Sequence, residues 1–280
     1  LAALDTAEAL DAKSPLVPHQ RALVWRDRGD FAKAVAQYDI AISRDPSAGN
    51  YHMRGLALAE LKNHKAALAD FTKAVELDPR NVDSLTSRGV EEGELGMLEA
   101  QAKSYDQALA LDPGNLNALV ARADAQIARD DLAAAAATYE LALKSHPREP
   151  NLWFWLSETR RDLGDPAEAL KAADRGLQLD PKSQLGLRDR ATALEQLGRP
   201  AEVIKATTTG IALYPKDEAF LFLRAGALIA KGDLAGARRD LDLYLQLAPK
   251  ASGALTRRGE VHRAEARYDL ARADFDQAIA

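Results

Sequence analysis

Three groups of side chains in this 280-residue sequence have types and spacings that could do chemistry. His19 and His52 stand 33 residues apart, and with a carboxylate such as Asp83 they could supply three metal donors. Seven arginines, Arg21, Arg54, Arg88, Arg122, Arg190, Arg224 and Arg258, recur at intervals of 33, 34 or twice 34 residues. Guanidinium groups in register could form a phosphate-binding stripe. Residues 151–164, NLWFWLSETRRDLG, set Trp153, Phe154 and Trp155 side by side ahead of mixed charges, in a chain with only three Trp and six Phe. Aromatic and Arg anchors beside polar groups suit the gripping of a peptide.

Other chemistries are closed or disfavoured by composition. The chain has no cysteine, so disulfides, thiolate metal sites and Cys nucleophiles are excluded. No Gly-rich phosphate loop is present. A net charge of −5 and a pI near 5.6 disfavour nucleic acid as the main partner. At 47% hydrophobic and 28% charged, the sequence can bury a core and is not that of a disordered chain. No apolar run approaches the roughly 20 residues of a membrane span.

The elements that must position these groups are set by a repeat. Pro46, Pro79, Pro113, Pro147, Pro181, Pro215 and Pro249 are 33 or 34 residues apart, and segments such as AVELDP, ALALDP and GLQLDP precede them. With each Pro at position 32, the units are 15–47, 48–81, 82–115, 116–149, 150–183, 184–217, 218–251 and 252–280. Position 8 is small throughout: Ala22, Gly55, Gly89, Ala123, Ser157, Ala191, Ala225 and Gly259. Position 24 is mostly large and apolar: Tyr38, Phe71, Tyr105, Tyr139, Leu241 and Phe275. Gly29, Gly96, Gly164, Gly198 and Gly232 at position 15 can end a first helix in the left-handed conformation. Asp165-Pro166 supplies an N-cap and an N1 proline for a second. Residues 1–14 include part of a preceding repeat helix. Neither end carries an obvious polar capping helix, so a segment of a longer array or larger protein is expected.

These units resemble the tetratricopeptide repeat (TPR) family over almost the whole chain. The resemblance implies an all-α fold, an α-solenoid in which antiparallel helix pairs, A then B, stack into a right-handed superhelix. It also implies that positions 2, 5, 9, 12 and 13 of helix A line a concave groove, with position 6 at its edge. His19, His52, Phe154, Arg188 and Phe222 (position 5), Glu158 (position 9), and Ile127, Arg161 and Ile229 (position 12) are then the expected binding residues. Trp155 is expected at the rim or packed against the next helix A. Trp153, at position 4, is expected in the core on periodicity. The Lys/Asn/Arg clamp of chaperone-binding members has no match in any three consecutive units here.

On this reading the two histidines are solvated groove residues and no metal site or cofactor is expected. Position 25 is acidic in six units, so the arginines are expected to pair with helix B carboxylates and serve stability. The expected function is a non-enzymatic scaffold that binds a protein or peptide in its groove. One alternative is an appendage of a larger enzyme or of an envelope or secretion assembly. Another is self-assembly through uncapped repeat ends. The Cys-free, Ala/Asp/Arg-rich composition has a bacterial look, with cytoplasm or periplasm/envelope both open as compartments.

Overall fold

The computed structural model describes residues 13–279 together with Leu4, Thr6, Ala9 and Asp11. The expected helix of a preceding unit lies mostly outside the described residues. Sixteen α-helices follow in eight consecutive A–B pairs among the described residues, with no strand. The chain divides into two compact units, one ending at His146 and one beginning at Pro147. The first holds Leu16–Asp27 with Phe31–Arg44, Ala48–Glu60 with His64–Leu77, Val82–Glu94 with Leu98–Leu111, and Leu116–Ile127 with Leu132–Ser145. The second holds Pro150–Asp162 with Pro166–Leu179, Gln184–Gln196 with Pro200–Leu213, Glu218–Ala230 with Leu234–Leu247, and Ser252–Ala264 with Tyr268–Ile279. In each compact unit helix A packs against its own helix B, helix B packs against helix A of the next pair, and several successive A helices also touch. The fold is an all-α solenoid.

Local chemistry sets the helix ends. Asp30, Asp131, Asp165 and Asp233 cap B helices by accepting N–H groups of Lys33, Ala134, Glu168 and Gly236. Asn81, Asn115, Ser183 and Asp217 do the same for A helices. Between A and B every pair turns through one residue of positive φ. Five of these residues are the position-15 glycines, and the other three are Lys62, Asp130 and Ala266, at φ 57 to 61°. After helix B, the carboxylates of Asp78, Asp112 and Asp180 accept the N–H two residues on, closing the turn around the proline.

The core is built on exchanges of large and small residues. The rings of Phe71, Tyr105 and Phe275 on helix B lie on Gly55, Gly89 and Gly259 of helix A, where an added Cβ would come within 2.6 to 2.8 Å of a ring carbon. Position 8 is small because an aromatic ring occupies its space. The fifth and sixth pairs depart from this scheme. Their position 24 holds Ala173 and Thr207, and position 27 holds Gly176 and Gly210. Phe154 of helix A fills the fifth gap, lying on Gly176 and on Gly186 of the next helix A, and Phe220 fills the sixth by lying on Gly210.

This exchange corrects two expectations. Phe154 is 1% exposed and is core, not groove surface. Trp153 is only half-buried. Its Nε1 donates to the Pro147 carbonyl oxygen at 3.1 Å, and the Arg175 guanidinium lies 5.8 Å from its ring centre. Position 4 is elsewhere mostly a buried leucine (Leu85, Leu119, Leu187, Leu221, Leu255).

Candidate functional site: the helix A face

The two histidines expected in solvent are held between successive A helices. His19 Nδ1 is 2.8 Å from Asn50 Oδ1, with its ring edge-on to Tyr38. His52 Nδ1 is 3.0 Å from Ser84 Oγ, with its ring against Phe71. Burial pushes His52 below the ordinary histidine range, and the charge of Asp83 opposes that only in part. Both imidazoles link helix A of one pair to position 3 of the next, which a solvated ligand would not do. Among the described residues no group of three or more His, Asp or Glu is placed to hold a metal ion. No described helix is long and apolar enough to cross a membrane.

The charged candidates of the fifth and sixth pairs form a network. Arg161 reaches Asp162 at 3.0 Å, exposed Glu158 at 3.4 Å and Asp189 at 3.7 Å. Asp189 was not anticipated from the sequence. It is 3% exposed, and its Oδ2 has no hydrogen-bond partner among the described residues. Burial, with the nearby charge of Glu158, pushes its carboxyl up to about 7 against the pull of Arg161 and Arg188. Arg188 donates to Asp217 at 2.7 Å. Burial works against ionisation of Asp217, but hydrogen bonds from Gln184 and Arg188 hold it below the usual carboxylate range. Trp155 is half-buried.

Ile127 is exposed on the fourth helix A, in the first compact unit. Phe222 and Ile229 are partly buried, packed on a core cluster that includes Leu241 and Leu255. Arg257 covers the Phe222 ring at 3.7 Å and donates from Nη1 to the Phe222 carbonyl oxygen at 3.1 Å.

Each compact unit carries a concavity on the same repeat positions. In the second, Glu195 (12), Pro200 (17), Val203 (20), Gly226 (9), Ala227 (10) and Ala230 (13) contribute, with Ile229, Arg257 and Glu260, around a volume of about 290 Å³. In the first, the matching positions are Gly93, Leu98, Gln101, Asp124, Ala125 and Ala128, around about 460 Å³. Of the expected binding residues, only Ile229 lines either concavity. Sequence reading missed Gly226 and Arg257 as a pair. Their signal is a glycine at position 9 followed by an arginine at position 6 of the next unit. A Cβ on Gly226 would meet Arg257 Nη1 at 3.0 Å.

The arginine series lies elsewhere and is structural. Arg54, Arg224 and Arg258 each make two hydrogen bonds of 2.6 to 2.9 Å to a buried helix B carboxylate of their own pair, Asp70, Asp240 and Asp274. Each also reaches back to position 25 of the preceding pair: Asp39, Thr208 and Asp242. Arg190 reaches back to Asp174 at 2.6 Å, and Arg122 to Asp106 at 3.8 Å. The acid at position 25 therefore staples neighbouring pairs, and the deeper partner is at position 23. Arg88 finds Ser104, Gln107 and Glu92 instead.

A family model described as "Tetratricopeptide repeat" matches residues 19–82, 89–150, 120–184 and 188–252. The chain belongs to the tetratricopeptide repeat family. Among solved structures, the TPR chain is similar to a tetratricopeptide repeat protein from Parabacteroides merdae ATCC 43184, at TM-score 0.60 and 14% identity, covering 95% of this chain and 99% of that one. It is also similar to YrrB, described as a TPR protein with an unusual peptide-binding site, at TM-score 0.58 and 20% identity over 66% of this chain and 95% of that one. At these identities the likeness shows the fold. Sperm-associated antigen 1 of Mus musculus is 42% identical over 60 residues, 21% of this chain and only 7% of that protein's length.

Proposed function

We propose that this TPR protein is a non-enzymatic interaction scaffold that binds a peptide or an extended partner segment on its helix A face, at the concavity of the sixth to eighth pairs. The observation that carries this reading is the equivalence of the two concavities. Both use positions 9, 12 and 13 of A helices and positions 17 and 20 of a B helix, so the repeat itself generates a hollow at that register. The hollow of the second compact unit combines apolar Val203, Ile229 and Ala230 with Arg257 and two carboxylates. An apolar floor with a few fixed polar groups is the usual make-up of a ligand site. TPR proteins generally mediate protein–protein contacts, and the peptide-binding site attributed to YrrB is in keeping with the same role here.

Panning a displayed random-peptide library on the immobilised chain tests this. Gly226→Leu is the matched variant. It fills the hollow, and the nearest obstacles to a new Cβ are the ends of two flexible side chains, Arg257 and Glu195. Peptides enriched by the native chain and lost on Gly226→Leu support the reading. Enrichment unaffected by the substitution contradicts it.

A further inference from the structure

We infer, building on that reading, that the hollow of the sixth to eighth pairs selects a segment presenting one lysine or arginine side chain, whose cationic end is received by Glu195 and Glu260. The cations already lining the hollow are engaged. Arg257 lies face-on to the Phe222 ring at 3.7 Å and is tied to the Phe222 carbonyl. Arg199 makes two hydrogen bonds, at 2.6 and 2.8 Å, to Glu202 of its own helix. The anions are left to solvent: Glu195 and Glu260 are exposed, line the hollow and meet no salt bridge among the described residues.

Gly226 at the centre is what keeps the arrangement open. A Cβ there would lie 3.0 Å from Arg257 Nη1 and 3.4 Å from Glu195 Oε1. With Glu202 cancelling Arg199, the lining is left with two carboxylates against one guanidinium. A bound cation completes the charge balance. The aliphatic stem of the same side chain would lie along Val203, Ile229 and Ala230, as long cationic side chains do on apolar surface. The remaining N–H groups of Arg257 would face a carbonyl of the ligand backbone. At about 290 Å³ the hollow is at the small end of ligand cavities and takes one long side chain, not a helix.

The test uses the whole chain, the displayed library, and the variants Glu195→Gln/Glu260→Gln and Gly226→Leu, each checked by circular dichroism melting. The expected result is that peptides selected by the native chain share one basic position. Replacing that residue by norleucine in the synthetic peptide should weaken binding about tenfold, the scale of one charge-assisted hydrogen bond. The same replacement should change affinity less than about twofold on the double glutamine variant, because the charges it would miss are gone. Selected peptides that bind through the hollow but carry no basic position, or one indifferent to the glutamines, overturn this inference and leave the scaffold reading intact. A shared acidic position dependent on Arg257 overturns it too. Failure to enrich any peptide, or enrichment insensitive to Gly226→Leu, overturns the scaffold reading and the inference with it.

Discussion

The concavity of the third and fourth pairs and that of the sixth to eighth occupy the same repeat positions, yet they spend their polar groups differently. In the first, glycine is at position 12. Gln101 fills the space over Gly93, where a Cβ would lie 2.1 Å from its Nε2, and its amide engages Arg129 at 2.6 Å. Asp124 accepts from Tyr139 at 2.9 Å. These polar groups satisfy one another, and only exposed Glu94 of that lining has no partner among the described residues. In the second, Val203 replaces Gln101, Glu195 replaces Gly93, and the glycine has moved to position 9. Its carboxylates, Glu195 and Glu260, are exposed and meet no salt bridge among the described residues. A repeat therefore sets where these two hollows form, and two or three positions per unit decide how their polar groups are partnered.

The scaffold around these hollows can be attacked in graded steps. The largest effect is expected from Phe154→Ala, which empties a fully buried ring site whose walls are the glycines Gly176 and Gly186. A loss of about 3 to 5 kcal/mol is expected in chemical denaturation. Phe222→Ala should cost clearly less, since that ring is only partly buried. Equal costs would mean that the exchange of large and small residues in the fifth pair does not carry its core.

Next come the arginines. Arg224→Leu strands the buried carboxylate of Asp240 and should cost about 3 kcal/mol. Arg122→Leu loses only a 3.8 Å contact to exposed Asp106 and should cost under about 1 kcal/mol. Neither should alter peptide binding. Similar losses at both sites would refute the distinction between the two kinds of partner.

Asp189→Asn probes the charged network of the fifth and sixth pairs. Asp189 titrates near 7 in the fold and near 3.8 when unfolded. Its contribution to stability is therefore full below the unfolded value and is lost as pH rises through about 7. The variant should gain on the order of 2 kcal/mol over the native chain at pH 8 and little at pH 4. A constant difference across that range would show that Asp189 does not titrate there.

Much of this architecture was legible in the sequence, and the misses have physical causes. The 34-residue period placed the helix pairs, and the acids at position 25 placed one half of the arginine pairing. The deeper half, Asp70, Asp240 and Asp274 at position 23, has a weaker signal, since five of the eight units carry no acid there. Phe154 was assigned to the groove by the position it holds in a typical unit. The contrary signal was present in Ala173, Gly176 and Gly186, small residues that leave a hole only a neighbouring ring can fill. The burial of Asp189 had no signal in its own residue type, since it depends on which side chains the fifth pair lays over it.

A smaller prediction concerns the turns. Ala266 takes φ +57°, which costs a residue with a Cβ but not glycine. Ala266→Gly should raise stability by about 1 kcal/mol in the same denaturation assay. A loss would mean that the turn is held by contacts of the alanine methyl.

The most direct measurement is titration calorimetry of one library-selected peptide against the native chain and against Gly226→Leu, with both melting curves recorded. The account predicts at least a tenfold loss of affinity with no fall in melting temperature. Equal affinity for the two proteins would place the binding surface elsewhere and contradict it.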